Sequence, residues 1–331
     1  MSDKLSRPVD KLFSLDGRRV WVAGHTGMVG SALVRRLAQC DCETITAGRQ
    51  QLDLLDPVAT RAFLAAEKPD LVFLAAARVG GIAANMAAPA SFLHENMMIA
   101  CNVIDAARRA GTRKLVALGS SCIYPRLAPQ PISESVLLSG PLEPTNEAYA
   151  IAKIAGLKLA AACRIQYGCD FISAMPTNLY GPGDNFDAET SHVVPALIRK
   201  FHTAVQDGAP TVTVWGSGTP RREFLHVDDC ADALVHLAEF YSGELAINVG
   251  TGVDTTIRDL AECLAELTGY TGELMFDETR PDGTPRKLLD VSRLRALGWA
   301  HRIALRDGLA ETCRWYAARH DGAPDCDQQT S

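Results

Sequence analysis

Tyr149 and Lys153 stand four residues apart in EPTNEAYAIAKIAGLKLAA, and upstream the stretch LGSSCIYP sets Ser120, Ser121 and Cys122 side by side. Residues at i and i+4 share one helix face. An ammonium beside a phenol favours the phenolate, so the spacing predicts a tyrosine with a lowered pKa, usable as an acid or base near neutrality. A serine hydroxyl at the adjoining strand end can donate to a substrate carbonyl oxygen that the tyrosine also meets. Each residue taken alone has a plainer reading. A tyrosine packs well on the aliphatic stem of a lysine, and a lone cysteine after a strand is ordinarily a small buried side chain. A thiolate is nonetheless a competent carbon base. His192, ahead of VVPALIRKF, is either a surface or capping residue or a group that supplies a proton near neutral pH.

Such residues need a scaffold, and the sequence describes one. Short apolar runs predict strands at 18–24, 43–48, 70–77, 114–120, 170–176 and 244–250, with helices at 28–39, 56–67, 91–110 and 145–167 between them. Apolar runs of this kind belong to a parallel sheet buried on both faces, so the fold class is α/β, a doubly wound parallel sheet. Ser120 and Cys122 then fall at the carboxyl end of the fourth strand, where ligands of such sheets bind. After Pro176 the texture turns to TNLYGPGDNFDAETSH, VWGSGTPRREF and FDETRPDGTPRK, turn-rich stretches that predict a smaller substrate-facing lobe. Because the chain returns to the sheet at 225–250, the two lobes interleave. The expected division is a cofactor lobe of 18–176 plus about 225–250, a substrate lobe of 177–224 plus about 251–320, and an arm of residues 1–17 that lies on the surface or is disordered.

Directly after the first strand, AGHTGMVGSALVRRL carries Gly24, Gly27 and Gly30 into a helix. Glycines there allow a tight turn, close approach to a pyrophosphate and close helix–strand packing, with helix amides at the phosphates. A tight turn alone would also need glycine; the strand before and the helix after favour a dinucleotide. At the end of the second strand, where an NAD reader carries a carboxylate, stands Arg49. Its guanidinium suits a 2′-phosphate, so the expected cofactor is NADP, unless Arg49 is merely solvated. Asp53 is placed for the adenine edge or as a helix cap.

With 33 basic and 39 acidic residues the formal charge is −6, which disfavours nucleic acid as a partner. The N-terminal segment lacks the apolar stretch of a signal peptide, and no segment approaches about 18 uncharged apolar residues, so a soluble, cytoplasmic protein without a membrane partner is expected. The ten cysteines lack metal-site spacing; Cys40 with Cys42 and Cys163 with Cys169 are the nearest pairs, and no metal is expected.

Taken together, the glycine loop, the serine after the fourth strand and the Y-x-x-x-K helix resemble the extended short-chain dehydrogenase/reductase family. GSSCIYP, LEPTNEAYAIAKIAG, PTNLYGPGDNF, SHVVPALIRKF, VWGSGTPRREFLHVDD, NVGTGVD and PDGTPRKLLDV resemble, more narrowly, the signature segments of the GDP-L-fucose synthase family. The resemblance runs from about Arg18 to the C-terminal helix. It implies a Rossmann domain with a smaller substrate domain, a homodimer paired through helices, and a substrate, GDP-4-keto-6-deoxy-D-mannose, that is epimerised at C3 and C5 and reduced at C4 with NADPH. It implies Ser120, Cys122, Tyr149, Lys153 and His192 as catalytic residues, Cys122 and His192 being the epimerising pair. Around NADP(H) it implies Gly24, Thr26, Gly27, Met28, Val29, Gly30, Arg49, Asp53, Leu118, Gly119, Ser121, Lys153, Pro176, Thr177, Asn178, Leu179 and His192. Lys200, Trp215, Arg222 and Asp282 match positions that hold the GDP-sugar, while the division of labour between Arg221 and Arg222 stays open. Many bacterial members read G-H-R-G in the cofactor loop; Thr26 here leaves the NADP preference to Arg49. Two rival readings are an NAD-retaining nucleotide-sugar 4-epimerase, which leaves Cys122 with His192 unexplained, and a non-catalytic NADP sensor, which would have no use for Ser120, Tyr149 and Lys153 together.

Overall fold

The computed structural model describes residues 10–280 and 282–320. The first apolar runs become β1 (Arg18–Ala23), α1 (Met28–Leu37), β2 (Cys42–Ile45), α2 (Pro57–Glu67) and β3 (Leu71–Leu74). A short α3 (Ile82–Ala87) and a long α4 (Pro89–Ala110) lead to β4 (Lys114–Leu118), α5 (Glu147–Tyr167) and β5 (Asp170–Pro176). Beyond β5 follow β6 (Asn178–Tyr180), α6 (Val193–Asp207), β7 (Thr211–Trp215), β8 (Arg221–His226), α7 (Val227–Phe240) and β9 (Ile247–Val249). The chain ends through β10 (Asp254–Thr256), α8 (Ile257–Thr268), β11 (Glu273–Asp277), β12 (Arg286–Lys287), α9 (Ser292–Ala296) and α10 (Leu305–His320).

Six strands form one parallel sheet in the order β2-β1-β3-β4-β5-β9, a Rossmann-type arrangement. Alternation along β1 explains its unbroken apolar run. Val20 and Val22 enter the cluster beneath α1 and α7, and Trp21 and Ala23 the opposite cluster beneath α4 and α5. Helix signals are local: Asp56 accepts from the amides of Val58 and Ala59 ahead of Pro57, and Gly168, in the left-handed conformation, closes α5. The expected strands at 43–48, 70–77 and 244–250 overshoot. β2 and β3 stop where the chain leaves the sheet at its carboxyl edge, and β9 is an edge strand paired only with Ala174–Pro176.

β8 is the centre of a small mixed sheet, antiparallel to β10 and parallel to β6 and β12, while β7 and β11 form a separate parallel pair. α6, α8 and α10 cover these strands through Phe201, Leu264 and Tyr316. The chain also comes back to the large sheet a second time: Leu289 and Val291 are buried in one of its clusters, Leu294 and Trp299 in the other. At the start, the amides of Leu12 and Phe13 donate to the carbonyl of Glu239, and Phe13 and Leu15 are buried against α7. Residues 1–9 of the expected arm lie outside the described residues. Among the described residues no helix is long and apolar enough to cross a membrane.

Candidate active site

The glycine loop joins β1 to α1 in the way its residues demand. Gly24 has φ of 87°, and a Cβ there would lie 2.7 Å from the Ala76 backbone. At Gly30 a Cβ would collide with the Gly24 carbonyl, so helix and loop meet at a distance only glycine permits. Gly27 caps α1 without any side-chain hydrogen bond, leaving the first-turn amides of Met28 and Val29 open to a ligand.

A cleft of ≈ 470 Å³ runs from this loop past Thr26, Ala47, Arg49 and Asp53 to Ala76 and Glu95. The ring Nδ1 of His25, which borders it, is buried without a hydrogen-bond partner among the described residues. Arg49 lines the cleft, exposed and uncommitted among the described residues. Of the two readings of Asp53, the capping one passes to Asp56, which holds the α2 amides; the Asp53 carboxylate accepts from the Leu55 amide and its carbonyl from the Asp56 amide, in a local turn. These features fit a dinucleotide: a backbone cradle, a roomy cleft beside it and a free guanidinium at its far end.

Ser120 follows β4 and starts a 3-10 turn over Ser121–Ile123; its hydroxyl accepts from the Cys122 amide at 3.4 Å. Gly119 donates to the carbonyl of Ala174 at 2.8 Å, which holds Leu118 and the serines at the sheet edge. Tyr149 and Lys153 project from α5 toward this turn. Lys153 donates to the carbonyl of Leu118 at 2.9 Å and lies 5.8 Å from the centre of the Tyr149 ring, which meets Phe92 edge-on.

Cys122 bears electrostatically on both residues of the helix pair. Burial pushes Lys153 down to about 8, against an opposing pull from Cys122. Tyr149 corrects an expectation. Its phenol is pushed up, first by burial and then by the neighbouring Cys122, instead of being lowered, because burial removes the water that its ionised form needs.

His192 is exposed at the N-cap of α6 and makes no side-chain cap bond, so of its two plainer readings the capping one has no support and the surface one stands. The protein around its ring, with Lys287, holds it below the ordinary histidine value. At the end of β5, Pro176, Thr177, Asn178 and Leu179 continue the same edge. The Thr177 hydroxyl and the Asn178 amide both donate to the carbonyl of Glu223, at 3.2 and 2.8 Å.

A second group gathers in the smaller lobe. Trp215, 61% exposed, carries Lys200 at 5.2 Å and Arg280 at 5.0 Å over its ring. Asp282 spends its carboxylate on Ser217, accepting from the amide at 2.7 Å and the hydroxyl at 2.8 Å, which fixes the turn after Trp215. The two arginines separate cleanly. Arg221 is bound to Asp254 at 2.9 Å, whereas Arg222 reaches the carbonyl of Asp282 at 3.5 Å.

Besides His25 at the cleft and Arg280 over Trp215, Glu223 and Lys287 were not picked out from the sequence. Glu223, fully buried, accepts from the amides of Gly252 at 2.7 Å and Leu289 at 2.9 Å, binding β8 to two loops. Lys287 shares the surroundings of Cys122 and His192. Both lie in quoted segments, RREF and PRKLL, but only the strand register brings them here.

Residues 20–250 match the NAD dependent epimerase/dehydratase family. The chain is 56% identical over 314 residues to a GDP-L-fucose synthase of Escherichia coli (strain K12), covering 92% of this chain and 98% of that one. Among solved structures, a GDP-L-fucose synthetase from Naegleria fowleri bound to NADP is similar with a TM-score of 0.88 at 29% identity, over 97% of this chain and 99% of that one. A GDP-6-OMe-4-keto-L-xylo-heptose reductase from C. jejuni is similar with a TM-score of 0.86 at 36% identity, over 93% and 99% of the two chains.

Proposed function

The chain belongs to the NAD dependent epimerase/dehydratase family, and on that premise we propose that it converts GDP-4-keto-6-deoxy-D-mannose to GDP-L-fucose, epimerising C3 and C5 and reducing C4. The observation that carries this reading is the company Cys122 keeps: a carbon base shares its surroundings with the reductase pair Tyr149 and Lys153. The similarity to a GDP-L-fucose synthase over nearly the whole chain supports the choice of substrate.

The C4 ketone acidifies the protons on both neighbouring carbons, provided the enolate oxygen is held. Ser120 and Tyr149 hold it. A phenol whose proton is retained by burial suits that work, since it donates throughout and still has a proton to give the C4 oxygen at the end. Inversion takes a proton from one face and returns one to the other, and Cys122 and His192 divide that task. Residues 18–176 with about 225–250 hold NADPH, the first-turn amides of α1 meeting the pyrophosphate and Arg49 the 2′-phosphate. When bound, the cofactor supplies the hydride for C4. Residues 177–224 with about 251–320 hold the GDP-sugar through Lys200, Trp215, Arg222 and Asp282, and the working enzyme is a cytoplasmic homodimer paired through helices.

The test is incubation of the purified chain with the keto sugar nucleotide and NADPH in heavy water. Oxidation of NADPH in step with a product carrying solvent deuterium at C3 and C5 is expected. No NADPH oxidation would sink the reading, and inversion at C4 of a nucleotide sugar that carries a C4 hydroxyl, without net NADPH consumption, would favour the 4-epimerase.

A further inference from the structure

The turn that carries Cys122 is loosely held by its own bonds. The Ile123 amide donates to the Ser120 carbonyl at 3.2 Å, and the Cys122 amide to the Ser120 hydroxyl at 3.4 Å. Both are longer than the roughly 2.9–3.0 Å at which N–H···O bonds cluster, and the bonds of a single 3-10 turn are poorly aligned to begin with.

The residues just after the turn are held far more firmly. Ile123 is fully buried and Tyr124 is 3% exposed, and the Tyr124 hydroxyl donates to Oδ1 of Asn248 at 2.6 Å. Asn248, on β9, is itself fully buried. Its Nδ2 donates to the carbonyls of Ile132 at 2.8 Å and Asp290 at 3.0 Å, and its backbone amide to Oε1 of Glu134 at 3.1 Å. With both Nδ2 protons spent on carbonyls, it is Oδ1 that faces the tyrosine, so the tyrosine must donate. Burial, and after it Glu134, pushes the Tyr124 phenol up, which keeps that proton in place.

Asn248 takes its own position from the large sheet. It lies beside Met175 in the pairing of β9 with β5, and the next carbonyl, of Val249, accepts from the Thr177 amide at 2.9 Å. The Tyr124 hydroxyl therefore ties the Cys122 turn to the sheet edge that carries Thr177 and Asn178. Buried as it is, Tyr124 meets no ligand, and no step of the proposed reaction uses its proton.

We propose that Tyr124 is a positioning residue: through Asn248 it fixes the turn on which the Ser120 hydroxyl and the Cys122 thiol stand. The inference rests on the reading of Cys122 as the carbon base, and one arm of its test needs no substrate.

Tyr124→Phe removes the hydroxyl and keeps the ring in the core. Solvent deuterium wash-in at C3 and C5 should slow about tenfold, the scale of one lost buried hydrogen bond, with KM for the keto sugar nucleotide and Kd for NADPH within about twofold of the parent. In the ligand-free enzyme, amide exchange of the peptide holding Cys122 and Ile123, read by mass spectrometry, should quicken about tenfold while α5 is unchanged. Asn248→Ala removes the acceptor instead, and adding Tyr124→Phe to it should slow wash-in no further. Arg293→Met is the control for stability alone. It strips Glu134 of its guanidinium partner at 3.4 Å, at the far end of the network, and leaves Tyr124 paired; it should lower thermal melting and keep wash-in at the parent rate. NADPH binding checks that each variant is folded. Normal wash-in in Tyr124→Phe would overturn the proposal, as would a turn whose amides exchange no faster, or wash-in slowed equally by Arg293→Met. Faster exchange in the turn of an enzyme whose parent form shows no wash-in would uphold the anchor and overturn the proposed reaction.

Discussion

Lys153 donates through Nζ to the carbonyl of Leu118 at 2.9 Å, joining the helix that carries Tyr149 to the strand that delivers Ser120 and Cys122. Its ammonium is held near 8 by burial, so in the folded enzyme it loses its proton well before a free lysine does. The sign follows from linkage. With the folded value depressed below 10.5, burial of the charge is a cost to stability fully present below about 8 and relieved as pH rises toward 10.5. Activity runs the other way if the charge is needed. kcat/KM for NADPH-dependent reduction reports the free enzyme, and it should fall above about pH 8. Lys153→Met should remove that limb and lower the rate on the order of 10²- to 10⁴-fold. A parent profile that stays flat through pH 9 would show that the charge is not required.

Cys122 and Tyr149 adjoin, yet their losses should separate the two halves of the reaction. Cys122→Ser should slow deuterium wash-in at C3 and C5 by about 10²-fold or more, the loss of a proton-transfer group, with NADPH binding nearly unchanged. Tyr149→Phe should instead block reduction while leaving some wash-in, because Ser120 still holds the oxygen. Mass spectrometry of the recovered sugar, beside the absorbance of NADPH, reads both at once. Normal wash-in with serine at 122 would move the base elsewhere.

Much of this was legible in advance, for reasons that differ by region. The six sheet strands were readable because burial on both faces makes each a continuous apolar run, as Val20–Ala23 illustrates. The glycine loop was readable because Gly24 and Gly30 answer to backbone contacts that admit no side chain. β12 was not: Arg286 and Lys287 are extended only because β8 lies beside them, and nothing in PDGTPRKLLDV marks a strand. Arg221 and Arg222 could not be told apart for the same reason, since which one meets Asp254 depends on register. The direction of the Tyr149 shift was out of reach as well. Spacing of i, i+4 says that two side chains share a face, but not how much water the rest of the fold removes from them.

Arg49 lines the cleft without a competing ion pair among the described residues, so its removal should be felt by the ligand and not by the fold. Arg49→Ala should weaken NADPH by about 10- to 100-fold, the range of a lost charge-assisted hydrogen bond, and leave NADH nearly untouched. Fluorescence titration with both cofactors measures the difference. Equal losses for the two would mean that the guanidinium does not read the 2′-phosphate.

The adjacent arginines of β8 should fail in different ways. Asp254 has a side chain only 6% exposed and is shared by Arg221 and Arg286. Burial alone would raise its carboxyl, but hydrogen bonds from the two guanidinium groups outweigh that and hold it below 3.8. This contribution to stability is present above the unfolded carboxylate value and lost as pH falls through the folded one. Arg221→Ala leaves Asp254 with a single partner and should cost about 1–2 kcal/mol, a shift of a few degrees in thermal melting, with KM for the GDP-sugar close to the parent value. Arg222→Ala breaks no ion pair and should melt close to the parent. Its effect should appear instead as a KM for the GDP-sugar raised about tenfold or more, the loss of one charged contact with a diphosphate. If both variants lost stability and kept KM, the face of β8 that carries Arg222 would not be the one that meets the substrate.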